Sequence, residues 1–494
     1  MAVRIARTRV MRTWTCVMIA IATLLAGSPA TAVPLSWSSS VIDAEAGASV
    51  GRHTSLVIAQ NGTAYVSYLD ESAGLVKLAT SVAGGWLIEV VDSPGFVRGD
   101  TSLALDSSGN LHLVYFNALS SMVRYGTRRA AGGPWNLSDI DRGLDEGHNR
   151  LAVDRFGVVH LVYVSDNGTL RYARRTTGFW TREIVDPFVL LARYASIAVD
   201  GNGRPHLAYY GNGRLRYAFR SGGFWSTEVV DLRDFVGWFA SIGTDPSGEP
   251  HIAYYDSIRR SLNYAVRSGT AWSTEVVDAA GDAGWDVSLL VDRDGVSHIS
   301  YYARISADLR YATGQPGGWD IQVADEPGVV GWSSSVALDP AGLPRITYFD
   351  WSVGSLKYAV GQPALGARTV GATSVAGTSA VVIGEVTALG PYASANASFQ
   401  WRRVGEPTWR ETAPVSISTP GTFQASLEGL LPGARYEYRA VVEAGGLSVY
   451  GLALTFATPA PPPINLPLFL LVFAVTAVAS AGIAAFVVLW FRRR

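Results

Sequence analysis

The chain has 494 residues, with 40 basic against 41 acidic side chains and a single cysteine, Cys16. Balanced charge without a basic stripe gives no footing for nucleic acid. One cysteine excludes a disulfide framework, a thiolate zinc site and, once the leader is removed, a cysteine nucleophile.

Residues 1–32 read as an export signal. Arg4, Arg7, Arg9 and Arg12 precede an apolar run from Val17 to Ala26, and Ala30-Thr31-Ala32 is a small-x-small cleavage site. The mature protein is expected to begin near Val33, and Cys16 leaves with the signal.

Residues 36–361 are built from a repeat. The string DPSGEPHIAYYD at 245 has counterparts in DSSGNLHLVYFN at 106, DRFGVVHLVYVS at 154, DGNGRPHLAYYG at 200, DRDGVSHISYYA at 292 and DPAGLPRITYFD at 339. The position of His251 is filled by Tyr65, His112, His160, His206, His251, His298 and Arg345, spaced 45 to 48 residues apart. A tyrosine follows three residues later every time, from Tyr68 to Tyr348. Further on come strings such as LRYA at 170 and LNYA at 262, then a tryptophan strand closed by Asp, such as WSTEVVD at 225.

Four short segments per unit, rich in Val, Ile, Tyr and Trp and joined by Gly-bearing turns, predict an all-β, seven-bladed propeller. The seventh unit lacks its tryptophan strand, and the missing piece, WSSSVID, stands at 37–43. The N-terminal strand is therefore expected to close the last blade and leave no free edge. A histidine that recurs in five of seven units reads as scaffold, hydrogen-bonded to the turn or to a neighbouring blade. Equivalent blade positions lie too far apart to share a metal, and the DxxG turns offer too few oxygens for calcium, so no metal site is expected.

Function is sought in what the repeat leaves unexplained. Trp238, Trp285 and Trp332 share one position three residues before the serine that opens the innermost strand, and Trp351 lies in a loop on the same face. The matching loops of the other blades carry Arg52, Arg98, His148, Arg193 and Tyr194. Aromatic faces beside arginines suit sugar rings, through C–H stacking and forked hydrogen bonds. Acids on that face, namely Asp70, Glu71, Asp145, Glu146, Asp234, Asp256, Asp282, Asp286 and Asp350, offer an acid–base pair for glycoside cleavage, but no pair stands out and no catalytic residue is assigned.

The seven units, with their SxxxDxxGxxH spacing, resemble the sialidase-type and fucose-lectin-type propellers, whose members bind or cut glycans. The Asp-box and arginine triad of sialidases have no clear counterpart here.

Residues 366–458 leave the repeat. LEGLLPGARYEYRAVV resembles the fibronectin type III domain, and the resemblance implies a turn and tyrosine corner from Leu430, Pro432, Gly433 and Tyr436. A Pro-rich linker follows at 459–467. Residues 468–491 are 24 uncharged residues, about 36 Å of helix and enough to span a bilayer. Arg492, Arg493 and Arg494 form a basic tail that places the chain's end in the cytoplasm and its N-terminus outside. Without the signal and tail arginines, 33 basic groups face 41 acidic, a net of −8.

No GxGxxG, GxxxxGKS, HExxH, GxSxG or CxxC string is present, so no cofactor is expected. The sequence thus reads as a single-pass cell-surface protein whose propeller binds an extracellular glycan or a protein partner. The alternative is a glycosidase or polysaccharide lyase on the same propeller.

Overall fold

The computed structural model describes residues 35–45, 48–144, 148–189, 191–390 and 392–461, all within one compact unit, 33–494. The expected signal, membrane span and basic tail lie outside the described residues, as do Asp145 and Glu146.

Seven four-stranded antiparallel sheets occupy residues 35–363. Their first strands are Val50–Ile58, Val97–Leu105, Arg150–Val153, Arg193–Val199, Val236–Thr244, Ala283–Val291 and Val330–Leu338. Each first strand lies against the next, and that of the seventh sheet lies against that of the first. The strand Leu35–Asp43 pairs antiparallel with Ser355–Pro363 as the fourth strand of the seventh sheet. The architecture is all-β and of the propeller type.

The repeat strings explain themselves once the sheets are in place. Second strands such as Pro250–Asp256 are buried on both faces because sheets pack on either side, whereas outer strands such as Ala271–Asp278 are mostly exposed. The DxxG turn is an Asx turn: Asp245 Oδ1 accepts the N–H of Ser247 and Glu249, and Asp200 Oδ1 that of Asn202 and Arg204. The recurring histidine is buried and bonded at Nδ1 to the tyrosine of the next strand in its own sheet, as in His160–Tyr172 at 2.7 Å and His206–Tyr217 at 2.6 Å. Its Nε2 faces the turn aspartate, at 3.3 Å in His160–Asp154. The partners are thus the turn and the sheet's own third strand rather than a neighbouring sheet, and burial lowers the basicity of all five imidazoles.

Junctions between sheets are latched by the recurring tyrosine. Tyr68, Tyr115, Tyr163, Tyr209, Tyr254, Tyr301 and Tyr348 each donate to the aspartate that ends the preceding outer strand, from Asp43 to Asp325. The basic residue of LRYA-type strings meets the same carboxylate, as Arg310 does at 2.9 Å from Asp278. Outer-strand tryptophans pack edge-on against the tyrosine of the preceding sheet, as in Trp272–Tyr217 at 5.1 Å. A second latch joins the first strands. A serine hydroxyl, Ser55, Ser102, Ser196, Ser241, Ser288 or Ser335, accepts the N–H of the next sheet's Leu103, Leu151, Ile242, Leu289, Val336 or Leu56. The last of these bonds closes the ring.

Residues 366–457 form a separate β-sandwich core around Phe399, Trp401, Leu427 and Tyr438. One sheet has the strands Gly366–Thr373, Ser379–Ala388 and Gly421–Glu428, and the other is centred on Ala395–Arg403 and Arg435–Ala444. Tyr436 accepts the N–H of Leu431 at its hydroxyl, 2.8 Å away.

Candidate functional site

A cavity of about 530 Å³ opens where the seven first strands begin. All seven sheets contribute one residue to its wall from the same place, two residues before the seam serine or, in the third sheet, before Arg150: His53, Asp100, His148, Tyr194, Phe239, Asp286 and Ser333. Six of these sit at left-handed φ, between +44° for His148 and +57° for His53, and in the second sheet the preceding Gly99 takes that conformation at +69°. Non-glycine residues are held there at a cost of roughly 1–3 kcal/mol each. In six of the seven sheets the conformation goes with a bulge at the start of the first strand, visible as register shifts such as those at Arg52/Ser55, Trp238/Ser241, Trp285/Ser288 and Trp332/Ser335. A bulge re-aims one side chain, here towards the cavity. The scaffold is thus largely constant, while the ring it presents mixes five residue types over seven positions.

One side of the ring is charged. Asp100, buried, receives His53 Nδ1 on Oδ1 at 2.8 Å and His148 Nδ1 on Oδ2 at 2.5 Å, while Arg150 Nη1 lies 2.8 Å from Oδ2. Burial alone would raise its carboxyl; Arg150, then His148 and His53, outweigh that and hold it well below the usual carboxylate range. Arg52 pairs with Glu71 at 2.7 Å beside them. Across the cavity, burial pushes the carboxyl of Asp286 upward, against the opposing N–H that Ser333 donates at 2.8 Å, and the charge of Asp100 adds to the rise.

The other side is aromatic. Ring contacts run without a break from His148 to Tyr194 (4.7 Å), Phe239 (4.7 Å), Trp285 (5.2 Å), Trp332 (6.3 Å) and Trp351 (5.8 Å), where Arg52 lies 5.2 Å over the indole. Trp238 stacks on Tyr194 at 6.0 Å.

Of the residues singled out in the sequence, Arg52, Arg98, His148, Arg193, Tyr194 and Trp332 line the cavity. Trp238, Trp285 and Trp351 stand one ring behind it, supporting the aromatic wall. Among the described members of the set of acids, Glu71 and Asp286 reach it. Asp70, Asp256 and Asp350 are buried loop caps that accept backbone N–H groups, and Asp282 holds the hydroxyl of Tyr255. Asp234 pairs with Arg214 at the surface. His53, Asp100, Arg150 and Phe239 were not foreseen. Arg150 carries a legible signal, since it replaces the serine that the other six units hold.

No protein-family model matches the chain, and no curated protein matches it. Among solved structures it is similar to the lectin of Aleuria aurantia, a six-bladed β-propeller with a novel fucose recognition mode. Identity is 14% over 56% of this chain and 97% of that one, with a TM-score of 0.42. A protein of unknown function from Dyadobacter fermentans is similar at 12% identity, over 65% of this chain and 97% of that one, with a TM-score of 0.41. The sensor domain of the anti-sigma factor RsgI4 of Pseudobacteroides cellulosolvens matches at 20% identity over 19% of this chain and 76% of that one, with a TM-score of 0.18. At such scores the likeness is loose, and the chemistry of the cavity rests on its own residues.

Proposed function

We propose that this is an exported, membrane-tethered saccharide-binding protein that takes one ligand at the mouth of its ring. In this reading the seven sheets are the blades of one closed propeller, 36–361. A fibronectin type III spacer at 366–458, with Tyr436 at its corner, and the linker at 459–467 hold the propeller off the membrane spanned by 468–491. The signal at 1–32 is removed, and 492–494 remain in the cytoplasm.

The observation that carries the reading is the two-sided mouth. A sugar has an apolar C–H face and a hydroxyl edge, and the cavity sets Tyr194, Phe239 and Trp332, backed by Trp285 and Trp351, beside the polar cluster of Arg52, Glu71, His53 and Asp100. Its volume falls in the range of ligand sites rather than packing defects. The test is a glycan-array screen of the full chain in detergent beside Tyr194→Ala and Trp332→Ala. Array binding that both variants lose supports the mouth, and binding that both retain removes the site from it.

A second reading, glycan cleavage, is favoured by one observation. The His53–Asp100–His148 bridge occurs once in the ring, and a carboxylate that accepts the Nδ1–H of an imidazole leaves its Nε2 able to accept a proton. Incubating the bound glycans with the protein and sizing the products separates the two: shortened chains that His148→Gln no longer produces would establish catalysis.

A further inference from the structure

The face that carries the mouth is rimmed by apolar side chains that stand in solvent. It is built from the loops that enter each first strand and those that join second strands to third strands. Leu119, Phe188, Phe235, Ile258, Ile305 and Val353, each on its own loop in sheets two, four, five, five, six and seven, are between 52% and 84% exposed. The loops that hold them are tied together by backbone hydrogen bonds. Ala118 donates its N–H to the carbonyl of Phe96, Phe235 to Gly213, Ser257 to Phe235 and Ile305 to Gly281. Phe235 is fixed at a left-handed φ of +60°, a strained conformation for so bulky a residue, and its side chain still remains in water. Apolar side chains held out on a fixed platform mark a contact surface.

The layout of this surface narrows what it meets. A protein–protein interface has an apolar centre inside a polar rim. Here the order is reversed: Asp100, Arg150, His53 and His148 occupy the centre, and the apolar tips form the periphery. Charges among the tips are paired within the chain, Arg214 with Asp234, Arg259 with Asp256 and Arg304 with Asp282. The loops at 118–121, 187–192 and 351–354 carry no charge at all. Separate apolar tips around a polar centre suit a partner that offers hydrocarbon across a plane beneath polar groups, which describes a bilayer.

We propose that the mouth face docks on a lipid surface, with the apolar tips at the boundary of head groups and acyl chains and the mouth against the head groups. Each tip that leaves water contributes in proportion to its apolar area, and tips on one rigid platform act together. Trp351, exposed beside Trp332, stands at the rim, where an indole suits the interfacial zone. The strand Ser355–Pro363 runs from the loop at 351–354 to the opposite face, where the chain passes into the sandwich. In the tethered reading the docked bilayer is therefore a second one, opposite the membrane that anchors the chain. The proposal goes beyond the saccharide reading and stands without it.

The test holds the full chain in phosphatidylcholine nanodiscs and floats it through a density gradient with large vesicles of phosphatidylcholine, alone or mixed with phosphatidylglycerol. Flotation with both vesicles, undiminished at about 500 mM salt, is expected of an apolar contact. In the triple variant Phe188→Ser, Ile258→Ser, Ile305→Ser the ratio of bound to free chain should fall about tenfold or more, at an unchanged thermal midpoint because all three side chains are exposed. Vesicles with brominated acyl chains should quench tryptophan emission, and less so in Trp351→Phe. No flotation of the wild type overturns the proposal and gives the rim to a protein partner. Flotation confined to phosphatidylglycerol vesicles and abolished by salt, or flotation undiminished in the triple variant, overturns it as well. Glycan-array binding without flotation leaves the saccharide reading standing alone, whereas flotation with a blank array upholds the docking and removes the saccharide.

Discussion

Arg150 reaches Asp100 Oδ2 at 2.8 Å from the position that serine holds in the other six first strands. The pair replaces a structural hydrogen bond with a charged one aimed at the cavity. It also gives Asp100 its role, since one buried carboxylate serves Arg150, His53 and His148 together.

Asp100→Asn removes that shared anion. The expected cost is about 2–4 kcal/mol, the range for deleting one member of a largely desolvated charged cluster. The pH dependence has a definite sign. The folded-state carboxyl lies below its ordinary value, so its contribution is fully present above about pH 4 and is lost as the pH falls towards the folded value. Denaturant titrations of both proteins between pH 7 and pH 3 should therefore show a gap that is constant above about pH 5 and narrows below about pH 4. A gap that widens on acidification would contradict the arrangement.

The five scaffold histidines make the fold sensitive to acid. Burial, the largest influence on each, lowers the folded pKa of His112, His160, His206, His251 and His298, against the opposing pull of the turn aspartates. The unfolded chain takes up these protons near pH 6.5 and the folded one only lower, so stability is full above about pH 6.5 and falls as the pH drops below it. Unfolding free energies measured from pH 8 to pH 5 should decline with a slope that His251→Gln reduces, since a glutamine side chain takes up no proton in either state. An unchanged slope would mean that His251 is not held neutral by its burial.

Closure of the ring depends on a glycine at the junction of the first and seventh sheets. Gly51 has φ +108°, and a Cβ added there would lie 2.4 Å from Leu356 Cβ and 2.6 Å from its Cα. Because the Leu356 Cα and, at 2.8 Å, its N belong to a backbone that cannot yield, Gly51→Ala is expected to cost about 2–4 kcal/mol, combining strain and overpacking. The same substitution at the open hairpin residue Gly84, with nothing within 4 Å of its added Cβ, isolates the conformational part. Thermal melts of the two variants should differ by the packing share alone.

How much of this was legible in the sequence depends on repetition. The scaffold was readable because each latch recurs: Tyr254 with Asp231, the DxxG turn, and the tryptophan strand all announce themselves by period. The site was only half readable for the converse reason. His53, Asp100, His148, Tyr194, Phe239, Asp286 and Ser333 share a position but are of five residue types, so no single pattern draws attention to them. The recurring tryptophans one residue earlier did draw attention, and of these only Trp332 reaches the cavity wall. What aims the ring residues inward is a left-handed backbone at non-glycine positions such as Phe239, which composition does not advertise. The acids misled because capping a loop and lining a cavity use the same carboxylate, and only burial separates Asp256 from Glu71.

The N-terminal strand offers the most direct test of the seam. Leu35–Asp43 covers the outer edge of Ser355–Pro363, Trp37 packs 5.2 Å from Tyr311 and bonds Gln322 through its indole N–H, and Asp43 receives Tyr68 from the first sheet. Deleting residues 35–43 removes a packed tryptophan, a junction latch and an edge partner together, a loss of about 3–5 kcal/mol for the tryptophan alone. The bared edge of Ser355–Pro363 then presents unpaired backbone groups and is expected to drive self-association. A synthetic peptide of residues 35–43 added in trans should restore both the thermal midpoint and the monodisperse state by strand addition, and scattering with circular dichroism reads the two effects separately. If the truncated protein stays monodisperse at the wild-type midpoint, the seventh sheet does not need its fourth strand, and the seam is closed by Gly51 and Ser335 on the inner strands instead.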